Sequence, residues 1–141
     1  MLYLGADHAG YRLKEFLKKH FDNKGIKYRD LGTHSEESVD YPSYAFKVGK
    51  AVASEKNAKG ILICGTGTGM VMAANRIKGI RAAVAYDAYS AKMARHDNDA
   101  NVLCLRGRKI NMKEQARIAD IWLKSKFSGI ARHTRRIAKL K

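Results

Sequence analysis

Segments typical of β-strands alternate with segments typical of α-helices along the whole chain, and this alternation restricts the fold more than any other feature. Leu13, Phe16, Leu17 and Phe21, for example, recur at helical spacing directly after an apolar strand-like run. The pattern predicts strands over residues 2–6, 26–31, 60–64, 80–85 and 102–105. It predicts helices over residues 11–24, 44–55, 70–75, 88–96, 112–126 and 130–140.

Strands that alternate with helices predict a parallel sheet, because each helix carries the chain back across one face of the sheet. The expected fold is a Rossmann-like α/β three-layer sandwich with a five-stranded parallel sheet and helices on both faces. The length of 141 residues suits one domain, and no repeat or linker interrupts it, so residues 1–141 are expected to form a single domain. Ligands of such sheets bind beyond the carboxyl ends of the strands.

The loop after the third predicted strand carries the most specific chemical signal. Residues 64–69 read CGTGTG, so Cys64 stands at the end of the strand and glycine follows at alternate positions. Glycines let backbone N–H groups approach a ligand closely, and N–H groups beside a helix N-terminus favour negative charge. A thiol beside such a loop suits a reaction that builds negative charge on oxygen. The alternative is a tight turn that only joins the strand to a helix.

This loop fits neither of two common nucleotide-binding motifs. A dinucleotide fingerprint requires its third glycine where Met70 stands, and a P-loop requires lysine and a hydroxyl residue after its last glycine. A nucleotide-binding oxidoreductase is therefore disfavoured.

The two cysteines of the chain are expected to differ in role. They are too few for a disulfide framework or a four-cysteine zinc site, which points to a reducing cytoplasm. Cys104 lies within the apolar run VLCL and reads as core, whereas Cys64 stands where its thiolate is favoured. No apolar run is long enough to cross a membrane, so no membrane partner is expected.

The net charge of +15 points to an anionic ligand, because 28 basic residues face 13 acidic ones and no acid follows Asp120. Arg132 and Arg136 would share one helical face, and two guanidinium groups side by side suit a phosphate. The alternative is a solvated basic helix. A rival function is a non-catalytic nucleic-acid-binding module. Residues 128–141 contain no aromatic residue, which counts against single-strand recognition.

Asp7 and His8 follow the first predicted strand and should lie at the same edge of the sheet as Cys64. The pair could supply a proton shuttle and a donor to an anion. Asp7 could equally cap the helix that follows, and both roles are compatible.

Seven short motifs occur in a specific order. They are GADHAG at residues 5–10, DYP at 40–42, ICGTG at 63–67, AAN at 73–75, GIRA at 79–82, NDAN at 98–101 and RH at 132–133. On these motifs, essentially the whole chain resembles the type B ribose-5-phosphate isomerases, a family shared with allose-6-phosphate and galactose-6-phosphate isomerases.

The resemblance implies a metal-independent aldose–ketose isomerase that interconverts ribose 5-phosphate and ribulose 5-phosphate in the pentose phosphate pathway, with no cofactor. Cys64 would be the base, Thr66 would assist proton handling, and Asn98 with the loop amides would stabilise a cis-enediolate. A homodimer or dimer of dimers with shared active sites is implied, with the C-terminal basic helix reaching the partner subunit and no nucleic acid bound. The implied substrate-binding residues are Asp7, His8, Tyr41, Gly65, Gly67, Thr68, Gly69, Arg108, Arg132 and Arg136.

The sequence departs from the family's pattern at Asp97, where the family has a histidine that helps to open the sugar ring. His96 stands one residue earlier, about 100 degrees away around a helix. Asp97, His96 and His133 are therefore alternatives for ring opening. Cys64 argues against the galactose-6-phosphate isomerase subunit that lacks this cysteine, and leaves the other subunit and allose 6-phosphate as alternatives.

Overall fold

The computed structural model describes residues 1–140, and in these residues five strands alternate with six helices. The strands are β1 Leu2–Ala6, β2 Tyr28–Asp30, β3 Lys59–Cys64, β4 Ala82–Val84 and β5 Val102–Arg106. The helices are α1 Tyr11–Asn23, α2 Tyr41–Ser54, α3 Thr68–Ala74, α4 Ala88–His96, α5 Met112–Lys124 and α6 Ala131–Ala138. No helix among residues 1–140 is both long and apolar enough to cross a membrane.

All five strands are parallel and lie in the order β2-β1-β3-β5-β4, which confirms the predicted sheet. The chain moves outward from β1 to β2 and then returns to place β3 on the other side of β1. Helices α1 and α3 therefore leave neighbouring strands on opposite faces of the sheet. Such a reversal opens a crevice at the carboxyl ends of β1 and β3.

Side chains of the central strand alternate between the two faces. Ile61 and Ile63 pack into a core with α1, α4 and α5, whereas Leu62 and Cys64 pack with α2 and α3. This period of two is what a strand covered on both faces requires. Cys64 therefore projects from the last residue of β3 toward the α2/α3 side of the sheet.

Two helices begin earlier than the sequence pattern predicted. Helix α2 starts at Tyr41, because Pro42 suits the first turn of a helix, where its missing N–H is not needed. Helix α3 starts at Thr68, directly after Gly67 turns the chain with a left-handed φ of 82°. Thr68 and Gly69 therefore belong to the first turn of α3 rather than to a loop.

The loops after β1, β3 and β5 pack against one another without intervening side chains. A Cβ atom on Gly10 would lie 2.4 Å from the carbonyl oxygen of Ile63, and one on Gly107 would lie 2.3 Å from that of Ala9. The N–H of Asp7 donates to the Ile63 oxygen over 3.1 Å. Glycine at these positions brings the Asp7 loop directly beside the end of β3.

A buried ion pair fixes the end of β2 to helix α1. The fully buried Nζ of Lys14 lies 2.6 Å from Asp30 and 2.9 Å from Glu15, and Asp30 also accepts the N–H of Gly32 at 2.9 Å. Burial by itself would raise the pKa of Asp30, but hydrogen bonds from Lys14 and Lys18 outweigh it and lower that pKa. The pair thereby holds the start of the loop that follows β2.

Candidate active site

Cys64 ends the central strand, at the side of the sheet where all five strands have their carboxyl ends. This side is the carboxyl edge. The side chain of Cys64 is 6% exposed, and its Sγ atom accepts a hydrogen bond from the N–H of Gly67 over 3.2 Å. The left-handed backbone at Gly67 turns this N–H back toward the sulfur. Cys104, by contrast, is completely buried, which raises its pKa well above the ordinary value and confirms that it belongs to the core.

The rest of the loop is held by side chains from three directions. Thr66 Oγ1 accepts the N–H of Thr68 at 3.2 Å, and the Tyr86 hydroxyl donates to the Thr66 carbonyl oxygen at 2.7 Å. The ring of Tyr41 lies against Gly69, where a Cβ atom would come within 2.6 Å of a ring carbon. These contacts hold the loop with its backbone close to the carboxyl ends of the strands.

Asp7 and His8 reach the same edge from β1. One oxygen of the buried Asp7 carboxylate accepts the N–H groups of Ala9 at 2.9 Å and Gly10 at 3.1 Å, which leaves Oδ2 for a ligand. His8 Nδ1 accepts the N–H of Val39 at 3.2 Å. A neutral His8 ring therefore carries its proton on Nε2, where it can donate to a substrate oxygen. Asp7 thus holds the turn into α1 and can also meet a ligand.

Arg108 adds a cation beside the first turn of the loop. The backbone N–H of Arg108 donates to the Gly65 carbonyl oxygen at 3.3 Å. A Cβ atom on Gly65 would lie 3.3 Å from a nitrogen of the Arg108 guanidinium. The carboxyl edge therefore brings most of the predicted site residues together. They are Asp7, His8, Tyr41, Cys64, Gly65, Thr66, Gly67, Thr68, Gly69 and Arg108.

The remaining predicted residues lie at the amino edge, the side of the sheet where the strands begin. Asp97 and Asn98 follow α4 and precede β5, whose first residue, Val102, pairs with Gly60 near the start of β3. Cys64 ends that strand, about 13 Å further along at the usual rise per residue. A single chain therefore does not bring Asn98 to the loop amides. Predicted site residues at the amino edge are Asp97, Asn98, Arg132 and Arg136.

Helix α6 packs beside the end of α4 and completes a cluster there. His96 Nδ1 lies 2.7 Å from Asp97 Oδ1, and Nε2 of the buried His133 lies 3.7 Å from the same oxygen. His133 Nδ1 is held 2.7 Å from Ser128 Oγ. The hydrogen bond with His96 lowers the pKa of Asp97, whereas burial raises it. The charges of His133 and Arg132 also lower this pKa.

This cluster has a spacing that could accommodate a metal ion. One ligand atom each from His96, Asp97 and His133 lie within 4.8 Å of one another. Imidazole and carboxylate ligands suit several divalent ions. The positive charge of nearby Arg132 opposes a further cation, and the contacts between His96 and Asp97 account for the arrangement without an ion.

Two residues that hold the site were missed from the sequence. Tyr86, two residues after β4, holds the carbonyl of Thr66, and the only signal for it was that it follows a strand at the carboxyl edge. Ser128 orients His133, and nothing in its sequence surroundings distinguished it from other loop serines.

A known protein family matches almost the whole chain. The model of the Ribose/Galactose Isomerase family matches residues 2–140. The chain belongs to this family. A relative in Mycoplasma pneumoniae, a probable ribose-5-phosphate isomerase B, is 42% identical over 140 residues that cover 99% of this chain and 91% of the relative. The prediction of a sugar-phosphate isomerase is confirmed at the level of family and enzyme class.

Solved structures of this family superpose on the whole fold. Ribose-5-phosphate isomerase B of Clostridium thermocellum has a TM-score of 0.95 and 45% identity, covering 99% of this chain and 93% of its own. That of Mycoplasma genitalium, solved with bound ribulose-5-phosphate, has a TM-score of 0.94 and 40% identity, covering 99% of this chain and 92% of its own. The predicted Rossmann-like α/β fold is thereby confirmed.

Proposed function

We propose that the protein interconverts ribose 5-phosphate and ribulose 5-phosphate by metal-independent proton transfer through a cis-enediolate, with Cys64 as the base. The observation that carries this proposal is the position of Cys64, whose sulfur accepts the Gly67 N–H inside a glycine-rich loop at the crevice. The ribulose-5-phosphate bound to the Mycoplasma genitalium relative supports the choice of substrate.

The reaction begins on the open-chain aldose. The Cys64 thiolate removes the proton from C2, and the electrons of that bond form a C1–C2 double bond and leave negative charge on O1. Loop amides at residues 65–69, together with Asn98 of the partner subunit, stabilise this oxygen. Thr66 assists movement of the O2 proton to O1, and the Cys64 thiol then returns its proton to C1. The product is the ketose, with Cys64 again a thiolate.

The remaining site residues hold the substrate in place. Asp7 presents its free carboxylate oxygen and Tyr41 its ring beside Gly69, which suits contact with the sugar. His8 offers a donor from Nε2. Guanidinium groups bind phosphate oxygens through paired hydrogen bonds, so the phosphate falls to the arginines. Its proposed ligands are His8, Arg108, Arg132 and Arg136.

Two copies of the chain are needed to complete this site. Arg132, Arg136 and Asp97 lie at the amino edge, on the far side of the sheet from Cys64 of the same chain. We therefore propose a homodimer or a dimer of dimers, in which α6 and the end of α4 reach the crevice of the partner. Tyr86 and Tyr89, which are 50% and 73% exposed near the carboxyl edge, provide apolar surface for that contact.

Ring opening falls to the cluster around Asp97. Ribose 5-phosphate in solution is mostly a furanose, and its ring opens faster when a base takes the anomeric hydroxyl proton while an acid protonates the ring oxygen. Asp97 is the proposed base, because its carboxylate has two imidazole rings beside it, with His96 Nδ1 at 2.7 Å and His133 Nε2 at 3.7 Å. His133, held by Ser128, lies beside it as a proton partner.

The presence of two unpaired cysteines supports a cytoplasmic enzyme, because a reducing compartment preserves a catalytic thiol.

The test is isomerisation in D₂O with EDTA present, followed by NMR. A proton carried by Cys64 exchanges with solvent, so ribulose 5-phosphate should acquire deuterium at C1. Part of the original C2 hydrogen should also reach C1, because Cys64 returns the proton that it removed. Loss of activity with EDTA would contradict the mechanism. Higher kcat/KM with allose 6-phosphate or galactose 6-phosphate would reassign the substrate, and inactivity on all three would refute the proposed function.

A further inference from the structure

Arg106 lies beside Cys64 on the same face of the sheet. It is the last residue of β5, and its Cα pairs with that of Cys64 across the parallel ladder. Side chains alternate along a strand, and Cys104, two residues earlier, packs on the α2/α3 face together with Cys64. The side chain of Arg106 therefore leaves the sheet next to the sulfur of Cys64.

Tyr86 holds the guanidinium group of Arg106 close to the glycine-rich loop. The Cζ atom of Arg106 lies 5.3 Å from the centre of the Tyr86 ring, a distance typical of a cation–π contact. The hydroxyl of the same ring donates to the carbonyl oxygen of Thr66 at 2.7 Å. One tyrosine thus fixes both the loop and the cation that lies beside it.

The guanidinium of Arg106 lacks a protein acceptor in the part of the chain that the structure describes. Its Nε atom is buried without a hydrogen-bond partner among residues 1–140. Arg106 forms no ion pair with a carboxylate within that range. Four other arginines do form one: Arg12, Arg81, Arg95 and Arg117. A buried donor without an acceptor is unfavourable, and a negative charge close to the guanidinium would offset part of that cost.

We propose that Arg106 is an electrostatic residue of the active site, whose guanidinium group beside Cys64 stabilises the negative charge that forms on the substrate oxygens. This role rests on the proposed isomerase function. Arg108 lies against Gly65, so two arginines lie near the start of the glycine-rich loop. Arg106 acts on the enediolate rather than on the phosphate, because its ladder partner is Cys64 itself.

The first test measures the local charge at Cys64 without any substrate. Iodoacetate and iodoacetamide both alkylate a thiolate, but only iodoacetate is an anion, so the ratio of their rates reports the electrostatic potential at the sulfur. Cys104 is completely buried, and peptide mass spectrometry assigns the label to Cys64. Arg106→Gln should lower the iodoacetate-to-iodoacetamide ratio about fivefold, the effect of one unit charge at short range.

Two matched variants control this measurement. Arg106→Lys should keep most of the ratio, and Arg117→Gln, which removes an exposed arginine from the distant helix α5, should leave it unchanged. An unchanged ratio in Arg106→Gln would overturn the proposal, as would an equal fall in Arg117→Gln.

The second test separates catalysis from binding. Arg106→Gln should lower kcat for ribose 5-phosphate about tenfold or more with little change in KM, because the interaction strengthens as charge develops. Arg106→Lys should recover part of kcat. A raised KM with unchanged kcat would contradict the role on the enediolate. Arg106→Gln could lower the alkylation ratio while the parent shows no isomerase activity. That result would refute the proposed function and leave the cation beside Cys64 established.

Discussion

The backbone N–H of Gly67 donates a hydrogen bond to the Sγ atom of Cys64 over 3.2 Å. This bond directs a backbone donor at the sulfur and fixes the position of the sulfur beside the loop. The bond depends on the left-handed backbone at Gly67, whose φ is 82°. The glycine-rich loop therefore contacts the thiol directly through its backbone.

Replacing Cys64 with alanine is expected to lower kcat by a factor of about 10²–10⁴, the usual contribution of a positioned base. KM should change little, because the residues proposed to hold the sugar and phosphate remain. Initial rates of ketopentose formation measure both constants. Cys104→Ala is the matched control: it should keep kcat and lower the free energy of unfolding by about 1 kcal/mol. A parent-like kcat in Cys64→Ala would exclude Cys64 as the base.

Replacing Gly69 with alanine tests the contact with Tyr41. The new Cβ atom would lie 2.6 Å from a ring carbon, so the ring must move away from the loop. We expect KM for ribose 5-phosphate to rise about tenfold, which corresponds to the loss of roughly one good contact. Because the two residues touch, Gly69→Ala should add little to a Tyr41→Ala variant. Fully additive effects on KM would show that Tyr41 does not transmit the change.

Replacing Asp97 with asparagine should remove catalysed ring opening but leave proton transfer on the open-chain sugar. The variant would then act only on aldehyde that forms spontaneously, so its rate should level off as enzyme concentration rises. The rate of the parent should stay proportional to enzyme concentration over the same range. Asp22→Asn, on the remote helix α1, serves as the control. A rate that stays proportional in Asp97→Asn but levels off in His96→Ala or His133→Ala would assign ring opening to that histidine.

The sequence predicted the sheet and the position of Cys64 because both depend on local patterns. Alternation places Leu62 and Cys64 on one face, and the apolar run before Cys64 defines the strand. The contact between His133 and Asp97 could not be predicted, because it depends on where α6 packs after residues 125–130. The hydrogen bond from Tyr86 to Thr66 likewise depends on the loop conformation that Gly67 imposes.

The buried ion pair of Lys14 and Asp30 should control stability. Asp30→Asn leaves the buried Lys14 with only Glu15 at hydrogen-bond distance, and we expect a loss of about 3 kcal/mol in the free energy of unfolding. Lys14→Met should cost much less, since Asp30 keeps Lys18 at 2.9 Å and the Gly32 N–H. Urea denaturation measures both. Equal losses in the two variants would contradict this assignment.

The same pair predicts how stability depends on pH. The pKa of Asp30 is lower in the folded protein than its ordinary value of 3.8. Its stabilising contribution is therefore complete above that ordinary value and disappears as the pH falls through the lower folded pKa. Urea midpoints measured from pH 6 downward should fall more steeply in the parent than in Asp30→Asn. If the urea midpoints of the parent and Asp30→Asn fell equally with pH, the protonation of Asp30 would not contribute to the pH dependence of stability.

We expect each active site to combine Cys64 of one subunit with α6 of another. Cys64→Ala and the double variant Arg132→Ala/Arg136→Ala should each be nearly inactive alone. In a mixed dimer, one site carries both defects and the other carries neither.

The decisive measurement is isomerase activity after the two inactive proteins are unfolded together in equal amounts and refolded as a mixture. Random pairing makes half of the dimers mixed, each with one intact site, so activity should recover to about one quarter of that of the parent treated in the same way. Activity no greater than the average of the two separately refolded variants would contradict the shared site.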